Sequence, residues 1–221
     1  MLLIIASALA GPMGPAMMSG AISVPGALSA EEAREPCGDG YPYALVPVPS
    51  DTDLLQVFQP YRSFGTPTLV DTLVEASGRL AREYPAADPI FVGDLSLHRG
   101  GALPPHRWHH DGRSADVGLF AFDGQQPVHG FERVWSQELD VEKTWAFIAA
   151  LLDTGAVEHI LLDQAHIRRI RRYLRDQDRM SPEEMAAIFP PADTPRVWSL
   201  HGIVRHAPRH ADHMHVRVLC D

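Results

Sequence analysis

Three histidines and an aspartate carry the spacing of a hydrolytic metal site. The stretch His106-Arg-Trp-His109-His-Asp-Gly112-Arg-Ser-Ala-Asp116 sets six residues between His109 and Asp116, and Asp212-His213-Met214-His215 lies near the C-terminus. Zinc takes neutral imidazole and carboxylate in a tetrahedral set, and at a hydrolytic centre leaves one position to water. His109, Asp116 and His215 are expected to supply three ligands. They come from points about a hundred residues apart, so the fold has to assemble the site. With two cysteines in the chain, a Cys-based structural zinc site is excluded.

The C-terminal half of the set reads most clearly. His213-Met-His-Val-Arg-Val-Leu-Cys220 alternates, and a strand sends every second side chain to one face. His213, His215 and Arg217 then share a face, with Met214, Val216 and Val218 on the other. Two imidazoles two residues apart on a strand do not readily grip one ion in the same way. His215 is therefore assigned to the metal and His213 to a place beside the water that the metal activates.

Several elements must position these groups. Tyr41 to Ser50 holds Pro42, Pro47 and Pro49, each of which forbids helix and removes a ladder donor, and reads as extended edge structure. Thr66-Pro67 opens a helix with Leu69, Leu73, Ala76 and Leu80 at helical spacing, closed by Pro85. Pro89 to Leu97 is an apolar strand, and Arg99-Gly100-Gly101 turns the chain towards the site. Val117 to Phe122 is read as a strand with Asp116 at its start, ended by the turn Asp123-Gly124. Asp140 to Leu152 and Gln164 to Arg175 read as helices flanking a strand over Val157 to Leu162. Ser181-Pro-Glu-Glu184 has capping-box spacing for a fourth, short helix, and Phe189 to Arg196 reads as a proline-marked loop. Strands and helices mix without a regular βαβ rhythm. The expected class is α+β, a single domain with a largely antiparallel central sheet and flanking helices.

At 221 residues, 45% hydrophobic and 21% charged, the chain has the composition of a soluble globular domain. A net charge of −9 argues against a nucleic-acid partner. The arginine run Arg168 to Arg175 is read as the solvated face of a helix whose Ile167, Ile170 and Leu174 turn inward. Residues 1 to 30 carry no charge and open on Leu2-Leu-Ile-Ile-Ala-Ser-Ala-Leu-Ala10, too short to span a bilayer but suited to a signal-peptide core. The expected division is a signal peptide over 1–30 and the zinc domain over 31–221, with a periplasmic or secreted product and no membrane span. Export would allow Cys37 and Cys220 to pair; closing so long a loop is worth about 5 kcal/mol in the chain-entropy view. Two buried free thiols are the alternative.

Set side by side, His109-x6-Asp116 and His213-x-His215 resemble the zinc signature of the lysostaphin, D-Ala-D-Ala metallopeptidase and hedgehog group. The chain is most similar to the penicillin-insensitive murein endopeptidases. Val92-Gly-Asp-Leu-Ser96, Arg99-Gly100-Gly101, Gly112, Trp145 with Ala149-Ala-Leu-Leu152, and Asp212-His213-Met-His215-Val-Arg217 followed by Cys220 carry that likeness. It extends over roughly Gly40 to Asp221. The resemblance implies a zinc peptidase that cuts cross-links between peptidoglycan stem peptides. His109, Asp116 and His215 would be the ligands, with His213 at the water, His210 as a further active-site histidine and His106 at an accessory metal position. Arg107 and Ser114 depart from the pattern and bear on substrate choice. His110, Asp111, His201 and His206 are read as surface or groove residues, and Trp108 either as packing or as a wall of the cleft.

Two other functions fit the same residues. A D,D-carboxypeptidase would close the groove with a basic residue, for which Arg99 and Arg107 are placed. A non-catalytic, zinc-stabilised cell-wall-binding domain would keep the ligands, yet has no need of His213.

Overall fold

Helix starts are where the sequence speaks most plainly, and the computed structural model bears this out. It describes residues 44–50, 52–106, 108–123, 126–127, 130–191 and 202–220. The expected signal segment 1–30, Cys37, Arg107, Gly124, Trp198 and His201 lie outside them. Helix α1, Pro67–Glu83, begins at Thr66, whose hydroxyl accepts from Leu69 N–H, with proline at the first helical position. Asp140 caps α2 (Val141–Leu152) and Asp163 caps α3 (Gln164–Asp176) by the same chemistry. Helix α4, Pro182–Ile188, has the full capping box: Ser181 accepts from Glu184 N–H while Glu184 reaches back to the Ser181 backbone.

Among the described residues ten short strands accompany the helices. They are β1 (Val46–Pro47), β2 (Leu55–Val57), β3 (Phe64–Gly65), β4 (Ile90–Val92), β5 (Ser114–Gly118), β6 (Phe122–Asp123), β7 (Gln126–Pro127), β8 (Val157–Leu162), β9 (Val204–His206) and β10 (His213–Val218). Six of them form one sheet in the order β2-β4-β5-β10-β8-β9. The three inner pairings are antiparallel, and the outer pairs β2/β4 and β8/β9 are parallel. Parallel neighbours need a crossover. Here α1 lies between β2 and β4, and α3 with α4 between β8 and β9. The fold is α+β in one domain, as expected, with the parallel pairs confined to the sheet's two sides. No helix among the described residues is long and apolar enough to cross a membrane.

Two strand expectations shift. Asp116 does not open its strand but sits in the middle of β5, because Ser114 and Ala115 also pair with β10. The strand anticipated over 89–97 stops at Val92. Beyond it Gly93, Asp94 and Leu95 turn to join other segments, Gly93 N–H bonding Asp116 O and Leu95 N–H bonding Arg62 O. Prolines keep the chain near residue 47 to a two-residue pairing of β1 with β3, apart from the main sheet.

The two faces of the sheet differ in kind. Met214, Val216 and Val218 of β10 are fully buried in the core with Leu69, Leu73, Ala76 and Leu80 of α1, Phe147, Ile148 and Leu151 of α2, and Ile167, Ile170 and Leu174 of α3. Alternation then sends His213, His215 and Arg217 to the opposite face. Cys220, just past β10, is disulfide-bonded, which answers the alternative of a buried free thiol at that position.

Leu73 has no exposed surface at the α1 side of this core. Leu73→Ala is expected to cost about 2–5 kcal/mol of unfolding free energy, by lost burial plus the cavity left behind. Urea unfolding of the two proteins measures it, and a difference under about 1 kcal/mol would contradict this account of the core.

Candidate metal centre

The pairing of β5 with β10 sets Asp116 directly opposite His215, and His213 opposite Gly118. Two ligand types therefore meet by register alone. His109 arrives from a loop and needs other fixings. Gly101 N–H bonds His110 O, and Thr66 N–H, at the head of α1, bonds Gly112 O at 2.8 Å. Gly112 has φ +73°, the left-handed region that favours glycine, and a Cβ there would also displace a Leu45 methyl 2.4 Å away.

Imidazole nitrogens gather on one oxygen. His215 Nδ1 lies 2.9 Å from Asp116 Oδ1, His109 Nε2 3.2 Å and His213 Nε2 3.6 Å. His106 Nδ1 stands 3.7 Å from the other oxygen, Oδ2. Neighbours set the tautomers. His109 Nδ1–H donates to Leu95 O at 2.9 Å, which leaves the Nε2 lone pair facing Asp116. His213 Nδ1 bonds Asp212 Oδ1 at 2.7 Å, and His106 Nε2 bonds Asp94 Oδ2 at 3.0 Å, each with the same result for the other nitrogen. Such outer partners are what fix ligand imidazoles in metal sites. His215 Nε2 is buried without a hydrogen-bond partner among the described residues.

Burial and charge prepare these groups as ligands. Burial would raise the Asp116 carboxyl, which is only 4% exposed, but the His109 and His215 imidazoles set against it hold it well below the ordinary carboxylate range. His215 is pushed down to about 4, chiefly by burial and only partly offset by Asp116. Burial likewise lowers His106, helped by His109, and lowers His210, helped by His213. At neutral pH His106, His210 and His215 are therefore neutral imidazoles near an ionised Asp116, and imidazole with carboxylate is the donor set that divalent metals of borderline softness take. His106, His109 and Asp116 place ligand atoms within 4.8 Å of one another and form a group that can hold a metal ion. His215, through Nδ1, stands on the same Asp116 oxygen as His109.

The remaining site residues of the sequence reading fall close by. The His210 ring is 4.8 Å from that of His213 and 6.1 Å from that of His215, with Nδ1 on Pro208 O at 2.8 Å. Trp108 is 47% exposed, so it is not core packing, and its ring stands over the Arg217 guanidinium. His206 is buried and bonds towards Leu162 O, and Asp111 pairs with Arg217, so neither is the surface residue expected.

Other contributors gave weaker sequence signals. Asp94 joins Arg62 at 2.7 Å and His106 at 3.0 Å, a purpose that Val92-Gly-Asp-Leu-Ser96 does not disclose. Gly93 leaves room for Phe131, whose ring would lie 2.1 Å from a Cβ there; Phe131 packs edge-on against His213 with centroids 5.5 Å apart. A β-bulge in β8 aligns Arg217 with His159 and Val218 with Val157, leaving Glu158 as the extra residue. Glu158 consequently reaches Arg113 and Arg217, while the His159 ring stacks over His215 at 6.5 Å.

The depressed groups give a pH dependence with one sign. An unfolded His215 takes up its proton near 6.5, whereas the folded one resists until about 4. The metal-free protein is expected to lose stability as pH falls from 6.5 towards 4, by up to about 1.4 kcal/mol per pH unit from this group. His106, His166 and His210, lowered by burial, act in the same direction, and Asp116 continues the loss at lower pH. Urea unfolding in chelator between pH 7 and 4 tests this; a flat profile across that window would contradict the geometry.

No family model and no curated protein matches the chain.

Proposed function

We propose that the chain is a zinc-dependent endopeptidase acting on the peptide cross-links of peptidoglycan, as its resemblance to the penicillin-insensitive murein endopeptidases implies. The observation that carries the reading is the meeting of His109 Nε2 and His215 Nδ1 on a single buried Asp116 oxygen, with His213 Nε2 beside them. A purely structural metal site has no use for the fourth group. Bound there, zinc supplies a Lewis acid for the scissile carbonyl and lowers the pKa of a water from about 15.7 to near 7.

The protein's own groups do the proton work. His213, with Nδ1 held by Asp212, offers Nε2 to take the proton of the attacking water and pass it to the departing amine. In its protonated state the same imidazole stabilises the oxyanion that develops on the carbonyl oxygen. His210, in ring contact with His213, keeps that imidazole in place, and Phe131 closes its other flank. Export to an oxidising compartment, periplasmic or extracellular, is supported by the disulfide-bonded Cys220.

Digestion of purified cross-linked muropeptide dimers, with products identified by mass, tests the proposal. Zinc-loaded protein is expected to release monomers, chelated protein none, and His213→Ala about 10²–10⁴-fold less. Release of D-alanine from free pentapeptides, without loss of dimers, would make the enzyme a carboxypeptidase. Folded, zinc-loaded protein that yields neither product would leave a non-catalytic wall-binding domain.

A further inference from the structure

One guanidinium outside the ligand set touches every segment that carries a ligand. Arg217 is 6% exposed and lies two residues beyond His215 on the same face of β10. It grips both carboxylate oxygens of Asp111, donates to Ser114 Oγ at 2.8 Å, reaches the Trp108 carbonyl at 3.5 Å and stands 3.4 Å from Glu158. Arg113 closes the ring: it pairs with Glu158, donates to Val218 O at 2.7 Å, and its backbone N–H bonds Asp111 Oδ1 at 3.1 Å. Trp108 and Asp111 flank His109 in the loop. Ser114 opens the strand of Asp116, and Arg217 itself belongs to the strand of His215.

We propose that Arg217 is the positioning residue of the metal centre, the latch that sets the His109 loop against the strands of Asp116 and His215. This rests on the metal-centre reading above. The case is one of geometry. Register fixes Asp116 against His215, but no strand pairing fixes His109; the loop residue nearest to it with a buried ionic anchor is Asp111. Only a planar fork with five donors bonds Asp111, Ser114, the Trp108 carbonyl and Glu158 together; a lysine ammonium does not. The Trp108 indole rests over the same guanidinium at 5.7 Å. The exposed indole and the first ligand thus share one support.

The test compares wild type, Arg217→Lys, Arg217→Met and Asp111→Asn. Zinc affinity is measured by competition with a chromophoric chelator, ligand geometry by the visible absorption of the cobalt-loaded protein, and stability by melting of the metal-free form. Zinc affinity is expected to fall about 10–100-fold in Arg217→Met and in Asp111→Asn, with less loss in Arg217→Lys, and the cobalt spectrum to change. A merely structural role would lower the melting temperature while leaving the affinity and the cobalt spectrum of the folded variants at wild-type values, and that result overturns the proposal. Should Arg217→Met fail to fold, Asp111→Asn, which keeps shape and one acceptor oxygen, decides by the same readouts. If wild type binds neither ion, the metal-centre reading falls and the latch falls with it.

Discussion

A carboxylate kept ionised at the middle of a buried sheet is the constraint on which this structure turns. Asp116 faces His215 across the β5/β10 pairing and has almost no contact with solvent. Removing a charge from water is costly unless hydrogen bonds and opposite charge replace the solvation. His215 Nδ1–H gives Asp116 a hydrogen bond in the metal-free state, while His109, His213 and His106, tied by their other nitrogens, leave lone pairs for a cation. The inner position of β5 and β10 follows naturally, since both strands have neighbours on each side to hold the pair rigid.

Labour is divided between the two faces of that sheet. Leucine, isoleucine and phenylalanine side chains of three helices fill the face behind β10, where burial of apolar surface supplies the driving force of folding. The other face carries polar loops, and its order comes from directed contacts: Leu95 O on His109, Asp94 on His106, Asp212 on His213. Apolar packing tolerates exchange of one side chain for another of like volume. The hydrogen-bonded face has no such latitude, because each donor has one acceptor in one direction.

How much of this could be read beforehand depended on distance along the chain. Helix starts at Thr66, Asp140, Asp163 and Ser181 are local chemistry, and each cap is visible within four residues. The face shared by His213, His215 and Arg217 followed from alternation within one strand. Asp116 was placed at a strand's end because Ser114 and Ala115 show nothing locally of their pairing with Arg217 and Val216. The role of Asp111 was missed for the same reason: its partner lies 106 residues away, and a half-exposed aspartate in a loop is indistinguishable from a solvated one until the strand is in place. Phe131 and Gly93 matter only as a pair, one absent side chain making a seat for a present one.

The bulge at Glu158 has a meaning for descent as well as for chemistry. It inserts one half-period into β8, so the residues before and after it obey opposite rules of which way a side chain points. Deleting Glu158 would leave Val157 and His159 adjacent and still on opposite faces, in unbroken pairing with Val218 and Arg217, but it would take away the carboxylate that Arg113 and Arg217 share. An extra residue in a strand is commonly regarded as a place where length can vary. In β8 the extra residue is itself the one that carries the charge, so a change of length there is a change of electrostatics.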